Sequence, residues 1–110
     1  MVVIGGEAVP RSSVRDQLGH EIYLTEERWH HICEEHPEMQ GWRAQVLETM
    51  RRGRRFQDSV RPDVYLYARD YRGLPHMNTT IVVVVRFGLY PDGTQNNFVL
   101  TAYPIRRRRR

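Results

Sequence analysis

The sequence predicts an α+β domain in which two N-terminal helices pack on one face of a four- or five-stranded antiparallel sheet. Two segments of the first half, residues 25–35 and 39–50, carry apolar residues at helical spacing. The second half changes to runs rich in β-branched residues, above all residues 79–87. The Pro-Asp-Gly turn at residues 91–93 predicts an antiparallel hairpin between the last two strands. Helices followed by strands are typical of this fold class.

The first elements are predicted from turn and cap residues. Residues 1–13 read as irregular, and residues 14–18 and 21–24 flank Gly-His, so they predict a small hairpin. Thr25 is a good N-cap, with two glutamates in the first turn where carboxylates suit the helix dipole. The first helix is expected to end near Glu35, because the residue before Pro37 disfavours the α region.

The second helix is predicted after Pro37, which suits the first turn of a helix. Met39, Trp42, Val46 and Met50 follow at helical spacing and are interpreted as core residues. Gly53 is a suitable residue to end this helix. Strands are then expected at residues 64–68, 79–87 and 95–103.

Alternation along these strands divides their side chains between the two sheet faces. The apolar set, expected to meet the helices, is Val64, Leu66 and Ala68, then Ile81, Val83, Val85 and Phe87, then Phe98, Leu100 and Ala102. The mixed set is Tyr65, Tyr67 and Arg69, then Thr80, Val82, Val84 and Arg86, then Asn97, Val99, Thr101 and Tyr103. The tyrosines and arginines favour a binding surface over a plain solvated face for the mixed set.

Composition predicts one domain, residues 1–105, followed by an arginine tail at residues 106–110 that is expected to be disordered. The formal net charge is +4, and all 17 basic residues are arginine. The body without the tail is nearly neutral, so the charge alone does not predict nucleic-acid binding. A single cysteine excludes an intramolecular disulfide and fits a cytoplasmic location. No signal peptide or membrane span is recognisable, and no membrane partner is expected.

The Arg-Arg-Gly-Arg-Arg segment, residues 51–55, has two interpretations. Its guanidinium groups can grip phosphates as bidentate forks. Alternatively, the arginines complement the C-terminal end of a helix dipole and then enter a solvated loop.

The predicted first helix gathers three histidines and the only cysteine within seven residues. Histidine exchanges protons near neutral pH, so these residues suggest acid–base chemistry, a metal site or an ordinary helix end. Cys33 lies on the apolar side and is interpreted as a packed thiol. A zinc ion could use Cys33 and His36 with His20 or His76, but the compact pairs typical of zinc sites are absent. We therefore expect no metal and no cofactor.

RNA cleavage without a metal needs a base, an acid and cations for the developing phosphorane charge. His31 or His36 could exchange the protons, and Arg86 could clamp the phosphate. Thr101 and Tyr103 could donate hydrogen bonds. The predicted substrate-binding residues are Arg51, Arg52, Arg54, Arg55, Tyr65, Tyr67 and Arg69.

The pattern Leu-Thr-x-x-Arg-Trp-x-His-Ile-x-x-x-His-Pro-Glu at residues 24–38, with Leu-Thr-Ala-Tyr at 100–103, resembles a known group. It is similar to small bacterial and phage-associated proteins grouped with the barnase–EndoU–colicin–RelE-like nucleases. The resemblance implies metal-independent RNA cleavage, often as a toxin, with RNA and possibly an antitoxin as partners. It also implies that His31, His36, Thr101 and Tyr103 occupy motif positions. A non-catalytic RNA- or protein-binding module on the same fold is the alternative.

Overall fold

The structure, a computed structural model, describes residues 10–107 and contains one six-stranded sheet and two α-helices. The strands lie in the order β1-β2-β6-β5-β4-β3 across the sheet. In chain order the elements are β1 (Arg11–Arg15), β2 (Glu21–Thr25), α1 (Glu26–Glu35), α2 (Arg43–Arg52), β3 (Arg54–Gln57), β4 (Val64–Asp70), β5 (Thr80–Arg86) and β6 (Asn97–Ile105). Short 3₁₀ turns occupy Pro37–Met39 and Pro75–Met77.

The predicted fold class is wrong in sheet size, in strand direction and in the position of the helices. Strands β1 and β2 precede α1 and belong to the main sheet, so the helices are not the first elements. β2 runs parallel to β6, with Ile22 opposite Asn97 and Tyr23 opposite Phe98, which makes the sheet mixed. The other strand pairs are antiparallel. A parallel neighbour 75 residues away along the chain leaves no local turn signal, so sequence reasoning treated the first hairpin as separate from the sheet.

The predicted N-terminal hairpin itself is confirmed, although its first strand begins and ends earlier than expected. β1 and β2 pair from Arg11 opposite Thr25 to Arg15 opposite Glu21. The segment 16–18, predicted as strand, forms the turn instead. The backbone N–H of Asp16 donates to the carbonyl of His20 at 3.0 Å, and Gly19 at the turn has a φ of +90°, which glycine adopts without strain.

Local capping explains the helix boundaries. The Thr25 hydroxyl accepts a hydrogen bond from the Arg28 N–H at 3.0 Å, which confirms the predicted cap of α1. Pro37 begins only a 3₁₀ turn, and Gly41 follows with a φ of +86°. α2 therefore begins at Arg43, later than the sequence predicts. No residue before residue 10 or after residue 107 is among those described, so the predictions for residues 1–9 and 108–110 lie outside them.

Both helices pack on one face of the sheet, where α2 contacts β4 and β5 and α1 contacts β6 and β2. The core between them is apolar and closely packed, and burial of such side chains is the main favourable term in folding. Its buried members are Val14, Ile22, Leu24, Trp29, Ile32, Met39, Val46, Met50, Tyr67, Leu74, Ile81, Val83, Val85, Val99 and Ala102.

The predicted division of the sheet faces is correct for β5 but wrong for β4 and partly wrong for β6. Tyr67, which is 1% exposed, lies opposite Val83 on the helix-facing side, so Val64, Leu66 and Ala68 take the other face. A bulge at Val84/Val85 breaks the alternation in β6. Val99 and Ala102 consequently both enter the core. Alternation placed Tyr67 with the mixed set, and the hydrogen-bond partner that allows its burial, Asp16, is 51 residues away in the sequence.

Gly53 lies where α2 meets β4, and we expect Gly53→Ala to destabilise the protein. An added Cβ would collide with the Thr49 carbonyl oxygen and lie 2.8 Å from the Ala68 carbonyl oxygen, both of them backbone atoms. Overpacking of this kind costs about 1–3 kcal/mol in free energy of unfolding. The measurement is urea denaturation of the wild type and the variant.

Gly88→Ala is the matched control, because a Cβ there would lie 3.4 Å from the Asn96 carbonyl oxygen, at the border of ordinary contact. We expect little change in its urea midpoint. Equal midpoints for the two alanine variants would contradict the close approach of α2 to β4.

Candidate functional site

Asp16 stands at the centre of the densest polar network in the described part of the chain. It begins the turn between β1 and β2 and is 7% exposed. One carboxylate oxygen, Oδ1, accepts the backbone N–H groups of Leu18 at 3.0 Å and His20 at 2.8 Å. The other oxygen, Oδ2, bonds His20 Nδ1 at 3.0 Å and accepts the Tyr67 hydroxyl at 2.6 Å. A buried carboxylate is thus fully supplied with donors.

The sheet brings Arg55 into the same network. Arg55 on β3 lies opposite Tyr67 on β4, and its Nε donates to the Tyr67 hydroxyl oxygen at 3.1 Å. The same Nε is 3.8 Å from Asp16 Oδ2. We call these four residues, Asp16, His20, Arg55 and Tyr67, the Asp16 cluster.

Aromatic rings hold the side chains of the Asp16 cluster in place. The Arg55 guanidinium carbon lies 3.7 Å from the centre of the Tyr65 ring. Phe87 packs edge-on against both His20 and Tyr65, with ring centroids 5.0 and 5.2 Å apart. Stacking of this kind restricts the orientation of the guanidinium and the imidazole, so both groups are positioned before any ligand binds.

The network shifts the pKa values of Asp16 and Tyr67 in opposite directions. Burial alone would raise the pKa of Asp16, but the hydrogen bonds from Tyr67 and His20 outweigh it and hold that pKa below its ordinary value. Burial and the Asp16 carboxylate together raise the pKa of Tyr67 well above its ordinary value, against a smaller opposing effect of Arg55. Asp16 is therefore ionised and Tyr67 remains a hydroxyl donor at neutral pH.

This arrangement fixes the tautomer of His20. A carboxylate only accepts hydrogen bonds, so the nitrogen that faces Asp16, Nδ1, carries a hydrogen. The side chain of His20 is 33% exposed, and its Nε2 is the nitrogen left for exchange with a ligand or solvent. A carboxylate that orients an imidazole in this way prepares it for proton transfer.

A small cavity of about 190 Å³ opens beside the Asp16 cluster. This volume is below that of most drug-sized ligand pockets and suits a phosphate or one end of a larger ligand. Its lining residues are Asp16, Gln17, Leu18, Gly53, Arg54, Arg55 and Tyr67.

A larger cavity, about 470 Å³, lies at the C-terminal end of β4, around Asp70 and Thr79. Neither histidine nor cysteine is among its lining residues, and Asp70 already accepts the Thr80 hydroxyl at 2.7 Å. The smaller cavity is not lined by a histidine either, but one of its lining residues, Asp16, bonds His20 Nδ1 at 3.0 Å.

The histidines predicted as catalytic lie on and just after α1. His31 is exposed, and its Nδ1 is 3.6 Å from Glu34 Oε1. His36 contacts Tyr103, with ring centroids 5.8 Å apart. The structure thus brings together two residues of the predicted set, His36 and Tyr103.

Arg86 and Thr101 occupy other positions in the sheet. Tyr103 lies opposite Val82, so Arg86 on the same strand is about 13 Å further along at 3.3 Å per residue. Arg86 Nε donates to Asp63 Oδ2 at 3.1 Å. The Thr101 hydroxyl is buried and, within residues 10–107, has no hydrogen-bond partner. Arg86 therefore lies apart from the His36–Tyr103 pair. The catalytic roles of His31, His36, Arg86, Thr101 and Tyr103 stay predictions.

The predicted substrate-binding arginines also separate. Arg51 and Arg52, in the last turn of α2, lie 3.3 and 2.6 Å from the Glu48 carboxylate. Arg69 lies over the Tyr71 ring at 5.2 Å. Arg54 is exposed and forms no ion pair with any residue that the structure describes. Arg54 and Arg55 are therefore the members that reach the cavity.

Sequence reasoning missed Asp16 altogether and considered His20 only as a zinc ligand. The available signal was local: an aspartate four residues before a histidine, with glycine between them, at the end of a predicted hairpin strand. Its partners Arg55 and Tyr67 were singled out, but as surface residues. Within residues 10–107 no three His, Cys, Asp or Glu side chains lie close enough together to hold a metal ion, so Cys33, His36, His20 and His76 do not form the zinc site considered above.

Comparison with known proteins adds no relative: no family model matches the chain, and neither a curated protein nor a solved structure matches it. Among the described residues, neither helix is long and apolar enough to cross a membrane.

Asp16→Asn is expected to lower the free energy of unfolding at pH 7 by about 2–3 kcal/mol, because two charge-assisted hydrogen bonds are weakened in a buried setting. The folded-state pKa of Asp16 is depressed, so its stabilisation is present above the unfolded pKa and is lost as the pH falls through the folded pKa. The gap between wild type and variant should therefore close below about pH 4. Urea denaturation of both proteins across a pH series measures this difference in the free energy of unfolding.

Asp92→Asn is the control for this experiment, because Asp92 is exposed and bonds only to Thr94 within its own turn. A loss in Asp92→Asn as large as that in Asp16→Asn would contradict a special role for the buried carboxylate, as would a constant gap down to pH 2.

Proposed function

We propose that the domain is a metal-independent ribonuclease with the Asp16 cluster as its catalytic centre. The supporting observation is that one carboxylate orients an imidazole at 3.0 Å and lies 3.8 Å from a guanidinium, beside a phosphate-sized cavity. Cleavage next to a 2′-hydroxyl requires a base and a cation near one phosphate. Arg55 lines the cavity, and His20 lies next to it through its bond to the lining residue Asp16.

In this proposal His20 Nε2 takes the proton of the 2′-hydroxyl, and O2′ attacks the adjacent phosphorus. The bond from phosphorus to O5′ breaks, which leaves a 2′,3′-cyclic phosphate and a 5′-oxygen that takes a proton from water. His20 then returns its proton to the hydroxide formed. Asp16 stabilises the imidazolium while it carries that proton.

The arginines supply the positive charge. Arg55 uses Nε for Tyr67, and its two Nη groups form no hydrogen bond with residues 10–107, so they are available for non-bridging phosphate oxygens. Arg54 also lines the cavity, and its side chain projects from the opposite face of β3 to that of Arg55. Tyr67 is buried and acts as a positioning residue, because its hydroxyl bonds both Asp16 and Arg55 and fixes their relative orientation.

This centre differs from the one that the resemblance implies, which uses His31, His36, Thr101 and Tyr103. The two locations share the reaction but not the residues. Substitution of single histidines therefore separates the question of activity from the question of where it occurs.

We expect the purified protein to cleave a fluorophore-labelled single-stranded RNA in EDTA and to produce 2′,3′-cyclic phosphate ends. His20→Ala should lower kcat/KM at least 100-fold, the usual contribution of a general base. His30→Ala, an exposed position on α1, is the matched control and should retain wild-type activity. A 2′-deoxy residue at the cleaved position should block the reaction, because the nucleophile is missing.

If His31→Ala or Tyr103→Phe abolishes cleavage while His20→Ala does not, the function stands and the centre lies beside β6. A folded protein that cleaves no RNA across homopolymeric and mixed substrates would contradict the ribonuclease proposal itself.

The alternative is a non-catalytic RNA-binding module, and one observation favours it. The two backbone bonds to Asp16 Oδ1 close the β1–β2 turn, so the carboxylate also has a purely structural use. In this case the arginines near the cavity bind RNA and no bond is broken.

RNA binding at this surface predicts a linear fall of log affinity with log salt concentration. Arg54→Gln should reduce the magnitude of that slope by about 0.7, the value for one phosphate contact with a single strand. Arg28→Gln, exposed on α1, should leave the slope unchanged. Anisotropy titrations of a labelled 2′-O-methyl RNA, which lacks the nucleophilic 2′-hydroxyl, measure both. Identical slopes for wild type and Arg54→Gln would exclude a phosphate contact at Arg54.

A further inference from the structure

β3 is the last strand of the sheet, and no strand among residues 10–107 pairs with its outer edge. It is only four residues long, Arg54–Gln57, and follows α2 after a single residue. An unpaired strand edge presents backbone donors and acceptors that another extended chain can use.

The register of β3 identifies which groups are available. The Asp58 N–H donates to the Val64 carbonyl at 2.9 Å, which continues the β3–β4 ladder. Because hydrogen-bonded pairs alternate in an antiparallel ladder, Arg54 and Phe56 direct their backbone groups toward β4. The N–H and C=O groups of Arg55 and Gln57 therefore point outward.

The side chains along this edge have a definite pattern. Arg54 and Phe56 are two residues apart and project from the same face, opposite Ala68 and Leu66. Phe56 is 49% exposed, and Arg54 has no acidic partner among the described residues. On this face β3 therefore offers an extended partner one positive charge and one apolar contact.

The other edge strand, β1, does not offer the same surface. Arg11 lies over the Tyr23 ring at 4.2 Å, and Arg15 is 3.9 Å from the Glu21 carboxylate. Ser12 accepts a hydrogen bond from Arg43 at 3.0 Å. The side chains Arg11, Ser12 and Arg15 of β1 thus have partners within the described chain, whereas Arg54 of β3 has no ion-pair partner among those residues.

We propose that the β3 edge docks an extended acidic segment of a protein partner, which adds to the sheet as a seventh strand. The partner would bond the outward groups of Arg55 and Gln57 and place a carboxylate opposite Arg54. An apolar side chain two residues along would cover Phe56. Charges on an edge strand also prevent two copies from pairing, and the same charges attract a strand of opposite sign.

This docking also bears on the cavity of the Asp16 cluster, because Gly53, Arg54 and Arg55 line it. A strand along β3 would cover one wall of that cavity. If the ribonuclease proposal is correct, the partner is therefore an inhibitor. Binding of the strand itself does not depend on that proposal, and it is measured without RNA.

The probe is a fluorescein-labelled peptide, Glu-Thr-Val-Thr-Glu-Thr-Val-Thr, which places glutamate and valine alternately on one face. We expect anisotropy to report saturable binding to the full chain. A peptide with lysine for glutamate should not bind. A peptide of the same sequence with alternate amides N-methylated should bind at least tenfold more weakly, because it lacks the backbone donors.

Two variants of the protein locate the binding. Arg54→Glu should weaken the peptide at least tenfold through charge. Gln57→Pro should do the same through the loss of an outward N–H, at a position where an edge strand tolerates proline. The N-methylated peptide leaves the protein unchanged, so the test stands even if Gln57→Pro folds poorly. His20→Ala should bind as the wild type does, which separates this result from any failure of the ribonuclease proposal.

Three results would overturn the docking proposal. The first is equal binding of the N-methylated peptide, which would show contact by charge alone. The second is displacement of the peptide by a single-stranded RNA whose own affinity is unchanged in Gln57→Pro. This result would assign the edge to nucleic acid. The third is self-association in analytical ultracentrifugation that Gln57→Pro abolishes, which would make the occupant a second copy.

Discussion

The hydrogen bond between the Tyr67 hydroxyl and Asp16 joins two parts of the sheet that are far apart in strand order. Asp16 follows β1, the first strand of the sheet, and Tyr67 belongs to β4, the fifth. The bond at 2.6 Å requires the sheet to curl until the β1–β2 turn reaches the helix-facing side of β4. It also satisfies a tyrosine that is 1% exposed. Curvature of the sheet, burial of Tyr67 and orientation of His20 therefore depend on one carboxylate.

The same constraint explains why polar groups lie at the edge of an otherwise apolar core. Two isolated polar groups would each be costly to bury, whereas a carboxylate and a hydroxyl that bond each other are not. Arg55 and His20 complete the set and remain partly exposed.

The elements that depend on neighbours in sequence were predictable, and those that depend on distant partners were not. Thr25, Pro37 and Gly53 mark boundaries through local chemistry, and each marks a real helix boundary or turn in the structure. The β1–β2 hairpin followed from its turn residues. The parallel pairing of β2 with β6, the bulge in β6 and the inward Tyr67 depend on contacts that no local pattern records. The candidate site was missed for the same reason: Arg55 and Tyr67 were recognised, but their acidic partner lies 51 residues from Tyr67.

The central place of β6 has a consequence for how the chain folds. β6 lies between β2 and β5, and its residues are the last of the six strands to leave a ribosome. Until they are available, the β1–β2 hairpin has no place in the sheet and the β3–β5 meander exposes an unpaired strand. The long chain segment between β2 and β6 must close before these two strands can pair. The entropy cost of that closure slows folding. The Asp16 cluster joins the β1–β2 turn to β3 and β4, so it assembles in the complete sheet only after β6 has been synthesised.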